Sequence, residues 1–151
     1  MYTLVVVDMQ AKFPASLDTR VQNNCKRAIR NAIKNKAAII FLEYVDYGPT
    51  LPCLTDLVKG YSNVHHATKS DWDGSPHSNV LIKKHGLPNN KFKVCGVYTE
   101  CCVAATVIGL SRTYNDSKIN LLSKACGSTC DAHHQRGIRD MKPLRNVRIW
   151  A

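Results

Sequence analysis

The sequence lacks any long apolar run: no segment approaches the roughly 20 apolar residues that a membrane span needs. A basic leader is also missing, because Met1-Tyr2 is followed at once by the short apolar run of residues 3–7. We therefore expect a protein that is neither embedded in a membrane nor exported. Internal repeats and low-complexity linkers are absent as well, so the 151 residues are expected to form one domain, residues 1–151.

An even cysteine count is lacking too. Seven cysteines cannot all pair within one chain. Without an export signal they are better interpreted as reduced thiols in a reducing compartment. We therefore expect a cytoplasmic protein.

Acidic residues are scarce, with 11 Asp and Glu against 21 Lys and Arg, which gives a formal net charge of +10. This charge suits an anionic substrate or weak nucleic-acid binding. The cations are scattered over several predicted helices and the C-terminal segment, a pattern that favours solvated helix faces. We therefore do not expect a nucleic-acid partner.

Apolar runs rich in β-formers alternate with amphipathic helical patterns along the whole chain, which is typical of an α/β fold with a mainly parallel sheet. The predicted strands are residues 3–7, 37–45, 64–68, 92–98, 119–122 and 147–150. Helices are predicted after Asp18, over 54–60 and 78–85, from about residue 101, and over 131–141. Ligands of such sheets bind outside the carboxyl ends of the strands.

A pair of cysteines, Cys101 and Cys102, lies where a helix is predicted to begin after the fourth strand. The first turn of a helix has unpaired N–H groups and partial positive charge, which favour thiolate over thiol. A packed, inert thiol is the alternative interpretation of each.

Asp8 and Lys69 lie at the ends of the first and third predicted strands. Taken singly, Asp8 is explained as a cap or turn residue and Lys69 as a solvated cation. Together with Cys102 they supply the groups that thiol attack on an amide needs: a base, electrostatic support and a nucleophile. Asp8 would take the thiol proton, and Lys69 would stabilise the thiolate and keep the carboxylate ionised.

Three motifs in this order resemble the isochorismatase-like cysteine hydrolases, a superfamily that includes nicotinamidases and N-carbamoyl amidohydrolases. They are the strand end Val5-Val6-Val7-Asp8-Met9-Gln10 with Phe13, the segment Thr68-Lys69-Ser70-Asp71-Trp72-Asp73-Gly74, and Gly96-Val97-Tyr98-Thr99-Glu100-Cys101-Cys102-Val103. The resemblance covers nearly the whole chain. It implies a three-layer sandwich whose six-stranded, mainly parallel sheet has the order 3-2-1-4-5-6, with helices on both faces.

The resemblance also implies roles for single residues. Cys102, directly before Val103, takes the position of the nucleophile, and Cys101 the variable position beside it. A cis peptide between Val97 and Tyr98 is implied, with the N–H groups of Tyr98 and Cys102 forming an oxyanion hole. Gln10 and Phe13 match positions that border the substrate pocket, and Trp72 would supply an aromatic wall.

Two departures from the nicotinamidase pattern narrow the function. Nicotinamidases carry an Asp-x-His motif after the second strand, where this chain has Glu43-Tyr44-Val45-Asp46-Tyr47, so we expect no metal and no cofactor. Residue 124 is Lys where relatives often carry Asp. Nicotinamide is therefore doubtful as the substrate. The family commonly assembles into dimers or tetramers, so a homo-oligomer is implied.

We expect a metal-independent cysteine hydrolase that cleaves a small-molecule amide or carbamoyl carbon–nitrogen bond through a Cys102 thioester. A binding or regulatory module on the same fold, with an anionic or nucleic-acid partner, is the alternative from another class. A vinyl ether hydrolase of the isochorismate type is a further alternative. A zinc site at Cys126, Cys130, His133 and His134 is disfavoured by the spacing of its cysteines.

Overall fold

A parallel sheet of six strands forms the centre of the structure, a computed structural model that describes residues 1–151. The strands are β1 (Thr3–Val7), β2 (Ala38–Tyr44), β3 (Val64–Lys69), β4 (Lys91–Val97), β5 (Lys118–Gly127) and β6 (Val147–Trp150). Their order is β3-β2-β1-β4-β5-β6, and all five neighbouring pairs are parallel. The predicted fold class and strand order are confirmed.

Helices cover both faces of this sheet. They are α1 (Thr19–Lys34), α2 (Pro52–Thr55), α3 (Ser75–His85), α4 (Ala104–Thr113) and α5 (Asp131–Met141). Short 3₁₀ turns lie at Pro14–Leu17 and Asp56–Val58. None of the helices has both the length and the apolarity that crossing a bilayer requires.

The apolar run of β1 is continuous because this strand is buried on both sides. Leu4 and Val6 belong to the core cluster that includes the α1 side chains, whereas Val5 and Val7 belong to the cluster that includes α4. Side chains alternate between the two faces of a strand, so one run serves two cores. Full burial of each such side chain contributes about 1.5 to 3 kcal/mol.

Helix α1 follows its predicted pattern closely. The Asp18 carboxylate accepts from the N–H groups of Arg20 and Val21, which caps the first turn. One stripe of the helix is buried, consisting of Val21, Cys25, Ala28, Ile29 and Ala32. Lysines and arginines occupy the opposite side. The predicted amphipathic helix is confirmed.

Strand β5 is longer than predicted, extending to Gly127 rather than ending at Leu122. Its pairing with β4 passes from Val94–Leu121 directly to Gly96–Cys126, so a bulge of extra residues lies between the two pairs. The polar Ser123 and Lys124 lie in that bulge and interrupt the apolar pattern. The apolar pattern therefore did not predict the second half of the strand.

Candidate active site

Asp8 lies directly after β1, at the carboxyl edge of the sheet. Its N–H donates to the Leu42 carbonyl, and its φ of 51° lies in the left-handed region. Asp tolerates this conformation better than most residues. The backbone thus turns at Asp8, and the Asp8 side chain is fully buried there.

Lys69, the last residue of β3, pairs with that carboxylate. Its Nζ donates to Asp8 Oδ2 at 2.8 Å and to the Asp71 carbonyl at 3.0 Å, and it lies 4.7 Å from the centre of the Tyr44 ring. Lys69 itself is 1% exposed. Lys69 was expected near Asp8, and the structure places the two in direct contact.

Cys102 lies in a turn between β4 and the next helix. That helix was expected to begin near Cys101, but a π-helical turn occupies Thr99–Val103 and α4 begins at Ala104. The Tyr98 carbonyl accepts from the N–H groups of both Cys101 and Val103, which forms the wide turn. The peptide bond between Val97 and Tyr98 is cis.

Burial, followed by the charge of Asp8 and a hydrogen bond to it, raises the pKa of the Cys102 thiol to about 12, while Lys69 opposes this rise. Burial likewise raises the pKa of Asp8, and Cys102 and Lys69 oppose that change. A helix N-terminus was expected to favour the thiolate, but loss of hydration outweighs it here. At neutral pH the thiol therefore carries its proton and faces a buried carboxylate.

One oxygen of that carboxylate has no N–H or O–H donor. Lys69 donates to Asp8 Oδ2, whereas Oδ1 is buried and receives no hydrogen bond from any nitrogen or oxygen. A buried acceptor without a partner is costly in a folded protein and is frequent at reactive sites. Oδ1 is thus available for a proton from the neighbouring thiol.

Cys101 has different surroundings from Cys102. Its Sγ lies 3.7 Å from Glu100 Oε1, and burial together with the Glu100 charge raises its pKa. The other oxygen of Glu100 accepts from the Ser128 hydroxyl. Cys101 is influenced by Glu100 and by the charge of Arg136, whereas Cys102 is the cysteine that lies with Asp8 and Lys69.

Contacts with the end of β5 and with α5, which were not predicted from the sequence, fix the turn that carries the cysteines. The Thr99 hydroxyl bonds to the Gly127 carbonyl and to His134 Nδ1. A side chain at Gly137 of α5 would come within 2.7 Å of the backbone of Thr99 and Glu100. The glycine lets α5 lie directly against the turn, which no local sequence pattern signals.

A cavity of about 290 Å³ opens beside the thiol. All seven residues that line it are apolar or aromatic: Phe13, Tyr44, Tyr47, Trp72, Tyr98, Cys101 and Cys102. Phe13 lies at the centre of the aromatic set, stacked on Tyr47 and edge-on to Tyr44 and Tyr98. Phe13 and Trp72 were predicted to border the pocket. Tyr44, the last residue of β2, and Tyr47, three residues later, were not predicted, although this spacing at a strand end was visible.

Gln10 is placed outside the cavity wall. Its side chain is buried, its Nε2 donates to the carbonyls of Tyr44 and Gly48, and its Oε1 accepts from the Tyr44 N–H. All its polar atoms therefore bind the loop after β2. Gln10 fixes the segment that carries Tyr47 and leaves no group free for a ligand.

Metal ligands are not assembled anywhere in the structure: no group of three His, Cys, Asp or Glu side chains could hold an ion. Cys126 is buried, whereas Cys130 is exposed at the start of α5. Next to the candidate nucleophile, phenol rings of Tyr44 and Tyr47 face the cavity. The residues present do not fit a metal centre.

Comparison with known proteins gives one family and a consistent fold. A family model for the isochorismatase domain matches residues 2–149. No curated protein matches the sequence. Solved structures with the same fold include the MAR1 ribonuclease of Caenorhabditis elegans, with 18% identity, a TM-score of 0.84, and coverage of 98% of this chain and 76% of that one.

Two further structures share the fold. The nicotinamidase SaPncA of Staphylococcus aureus is 21% identical with a TM-score of 0.81, and the match covers 99% of this chain and 98% of that one. The YcaC gene product of Escherichia coli, an octameric hydrolase of unknown specificity, is 17% identical with a TM-score of 0.79 and coverage of 99% and 75%. At such low identity these likenesses concern the fold alone.

Proposed function

Because the chain belongs to the isochorismatase domain family, we propose that it is a cysteine hydrolase that cleaves a carbon–nitrogen bond of a small amide or carbamoyl compound without a metal. The observation that carries this proposal is the buried cluster of Asp8, Lys69 and Cys102 beside an apolar cavity. No cofactor takes part.

In the first half-reaction the Cys102 sulfur attacks the carbonyl carbon while its proton passes to Asp8. A thiol with a pKa near 12 is a poor nucleophile by itself, so attack and proton transfer belong to one step. The N–H groups of Tyr98 and Cys102 stabilise the oxyanion. The amine or ammonia then leaves with the proton from Asp8, and a thioester remains on Cys102.

In the second half-reaction water attacks the thioester carbonyl carbon. Asp8 accepts a proton from the water, the carbon–sulfur bond breaks, and the proton returns to the thiol as the acid leaves. Throughout the cycle the ammonium of Lys69, 2.8 Å from Oδ2, favours the ionised form of Asp8. The carboxylate thus serves as base and then as acid in each half-reaction.

The cavity lining supports a substrate whose remaining part is neutral and apolar. No cation or amide group lines the cavity, so a carboxylate on the substrate would lose its hydration without a positively charged partner. Five aromatic side chains offer planar and edge contacts instead. We propose small primary amides with an apolar or aromatic acyl group.

A thiol-matched pair of variants tests this function. Ammonia release is measured over a panel of neutral amides and carbamoyl compounds with the parent, Cys102→Ala and Cys101→Ala proteins. We expect Cys102→Ala to abolish turnover and Cys101→Ala to retain it, since only Cys102 contacts the base. A thioester on Cys102, trapped with hydroxylamine as a hydroxamate of the acyl group, is the second readout. Unchanged turnover in Cys102→Ala would refute the proposal.

Domain organisation, oligomeric state and cellular location can be proposed on the same basis. We propose one hydrolase domain over residues 1–151, a homo-oligomer such as a dimer or tetramer, and a cytoplasmic setting. The family match over 2–149 supports the first, and the octameric E. coli hydrolase of the same fold supports assembly. All seven cysteines are free thiols, as a reducing compartment requires. Light scattering on the purified protein measures the oligomer directly.

A further inference from the structure

A second cleft lies on the α1 face of the sheet, away from the cysteine turn. Its walls are the solvent-facing side of α1, the bulge of β5 and the end of β6, and it encloses about 200 Å³. Arg27, Lys93 and Lys124 bring three cations to it, and no Asp or Glu side chain lines it. None of its residues lines the cavity beside Cys102.

Lys93 is the central feature of this cleft. It projects from β4, a central strand, and is half-buried, with its Nζ 4.4 Å from the Tyr2 ring centre and 5.3 Å from that of Trp150. Burial, followed by the charge of Lys91, lowers the pKa of Lys93. Aromatic faces attract a cation but do not neutralise it.

No counter-ion relieves this charge. The four ion pairs of the structure involve none of the cleft's cations. A partly dehydrated cation without a partner is stabilised by any anion that reaches it. The cleft is therefore electrostatically arranged to receive a compact negative group.

Two further features indicate what kind of anion fits. Asn31 on α1 adds a neutral donor beside the guanidinium of Arg27, whose fork suits phosphate oxygens, whereas Asn24 Nδ2 already donates to the Arg20 carbonyl. The Trp150 indole is 44% exposed at the rim, so it presents a free surface for a flat ring. A phosphate carries up to two negative charges at neutral pH, which three cations match.

We propose that this cleft binds a small organic phosphate, with its phosphoryl group among Lys93, Arg27 and Lys124 and a planar ring stacked on Trp150. The enclosed volume suits a single small ligand rather than a polymer. This proposal does not depend on the hydrolase activity, because the two sites share no residue.

The two tryptophans permit a direct test by NMR. Adenosine 5′-monophosphate, adenosine and inorganic phosphate are titrated into the ¹⁵N-labelled protein, and the indole N–H signals of Trp150 and Trp72 are followed. We expect the monophosphate to shift Trp150 in a saturable manner and to leave Trp72 unchanged. Adenosine is expected to bind at least tenfold more weakly, and inorganic phosphate to compete with the monophosphate.

Matched variants locate the charge. Lys93→Met keeps the apolar stem and is expected to weaken binding at least tenfold. Lys91→Met, on the same strand and face but outside the cleft, removes only a neighbouring charge that acts on Lys93 and is expected to change binding less than threefold. The comparison of Arg27→Met with Lys26→Met repeats this test on α1. Because Arg27 is exposed, its substitution is not expected to affect folding. Repeating the titration with Cys102→Ala protein separates it from catalysis.

Three outcomes would overturn the proposal. Equal affinity for adenosine and its monophosphate would mean that the cations do not recognise phosphate. Equal losses in Lys93→Met and Lys91→Met would reduce the effect to net charge. Binding confined to oligonucleotides, with a steep salt dependence and no shift of Trp150, would assign the positive charge to a nucleic acid instead.

Discussion

Replacing Lys69 with Met tests how the buried charge of the candidate active site is tolerated. The substitution removes the ammonium and keeps a long apolar stem, so Asp8 Oδ2 loses its 2.8 Å partner where both side chains are at most 1% exposed. Removing one member of a buried pair costs about 3 to 5 kcal/mol, since an uncompensated charge remains. We expect a loss of that size in the free energy of unfolding at pH 7.

The pair of Lys59 and Asp56 provides a matched control. These side chains lie 3.0 Å apart, at nearly the same separation, but are 79% and 59% exposed. Water and salt screen such a pair, and its contribution is typically below about 1 kcal/mol. We expect Lys59→Met to lose no more than that. The contrast between the two lysines isolates burial as the cause.

The pH dependence of the Lys69→Met variant shows what becomes of Asp8. Burial raises the pKa of Asp8 in the folded protein, and Lys69 opposes that rise. Without Lys69 the folded state holds the proton still more tightly than the unfolded state, whose Asp pKa is near 3.9. Stability is then fully present below about pH 4 and falls by about 1.4 kcal/mol per pH unit up to the folded pKa.

Urea unfolding followed by circular dichroism at pH 5 and pH 7 measures both effects. We expect the deficit of Lys69→Met against the parent to be larger at pH 7 than at pH 5. Adding Asp8→Asn should recover most of the loss at pH 7, because no buried charge remains. A deficit no larger than that of Lys59→Met, or one that does not depend on pH, would refute the reasoning.

Three further predictions concern this site and the strands that carry it, and the second includes a control variant at Gly86. In the parent, a folded pKa near 12 for Cys102 makes the free energy of unfolding fall as pH rises above the ordinary thiol value. Cys102→Ala lacks this loss, so the difference in free energy of unfolding between parent and variant should shrink by about 2 kcal/mol between pH 9 and pH 11. Equal pH profiles in urea unfolding would contradict this. Gly96→Ala should prevent folding, since its φ is 126° and the added carbon would lie 2.0 Å from the Val7 carbonyl oxygen. Gly86→Ala, with open space around it, should cost only about 1 kcal/mol in thermal unfolding. Gln10→Leu should raise KM more than it lowers kcat, because three backbone groups that fix the Tyr47 loop lose their partner; a kcat loss with unchanged KM would argue against a positioning role.

The positions of Asp8, Lys69 and Cys102 could be predicted because they depend on strand ends. Apolar runs show where β1, β3 and β4 end, and a parallel sheet brings those ends to one edge. The contact between Asp8 and Lys69 then follows from topology. Their catalytic roles stay a prediction, which the variants above test.

The cavity wall and the state of the thiol could not be predicted in the same way. Tyr47 reaches the cavity because Gln10 fixes the loop after β2, a contact between segments with no shared periodicity. The pKa of Cys102 depends on how completely the surrounding elements exclude water. Local sequence indicates a helix start but not this burial. The raised pKa of Cys102 was therefore not predicted, and a lowered one was expected.

The position of β1 in the middle of the sheet has a consequence for synthesis on the ribosome. This strand emerges first, yet its second neighbour, β4, ends only at Val97. Until then one edge of an apolar strand stays unpaired, and folding waits for contacts between distant parts of the chain, which are slow to form. A nascent chain stalled before β4 therefore exposes an aggregation-prone edge. It also lacks Cys102, the proposed nucleophile.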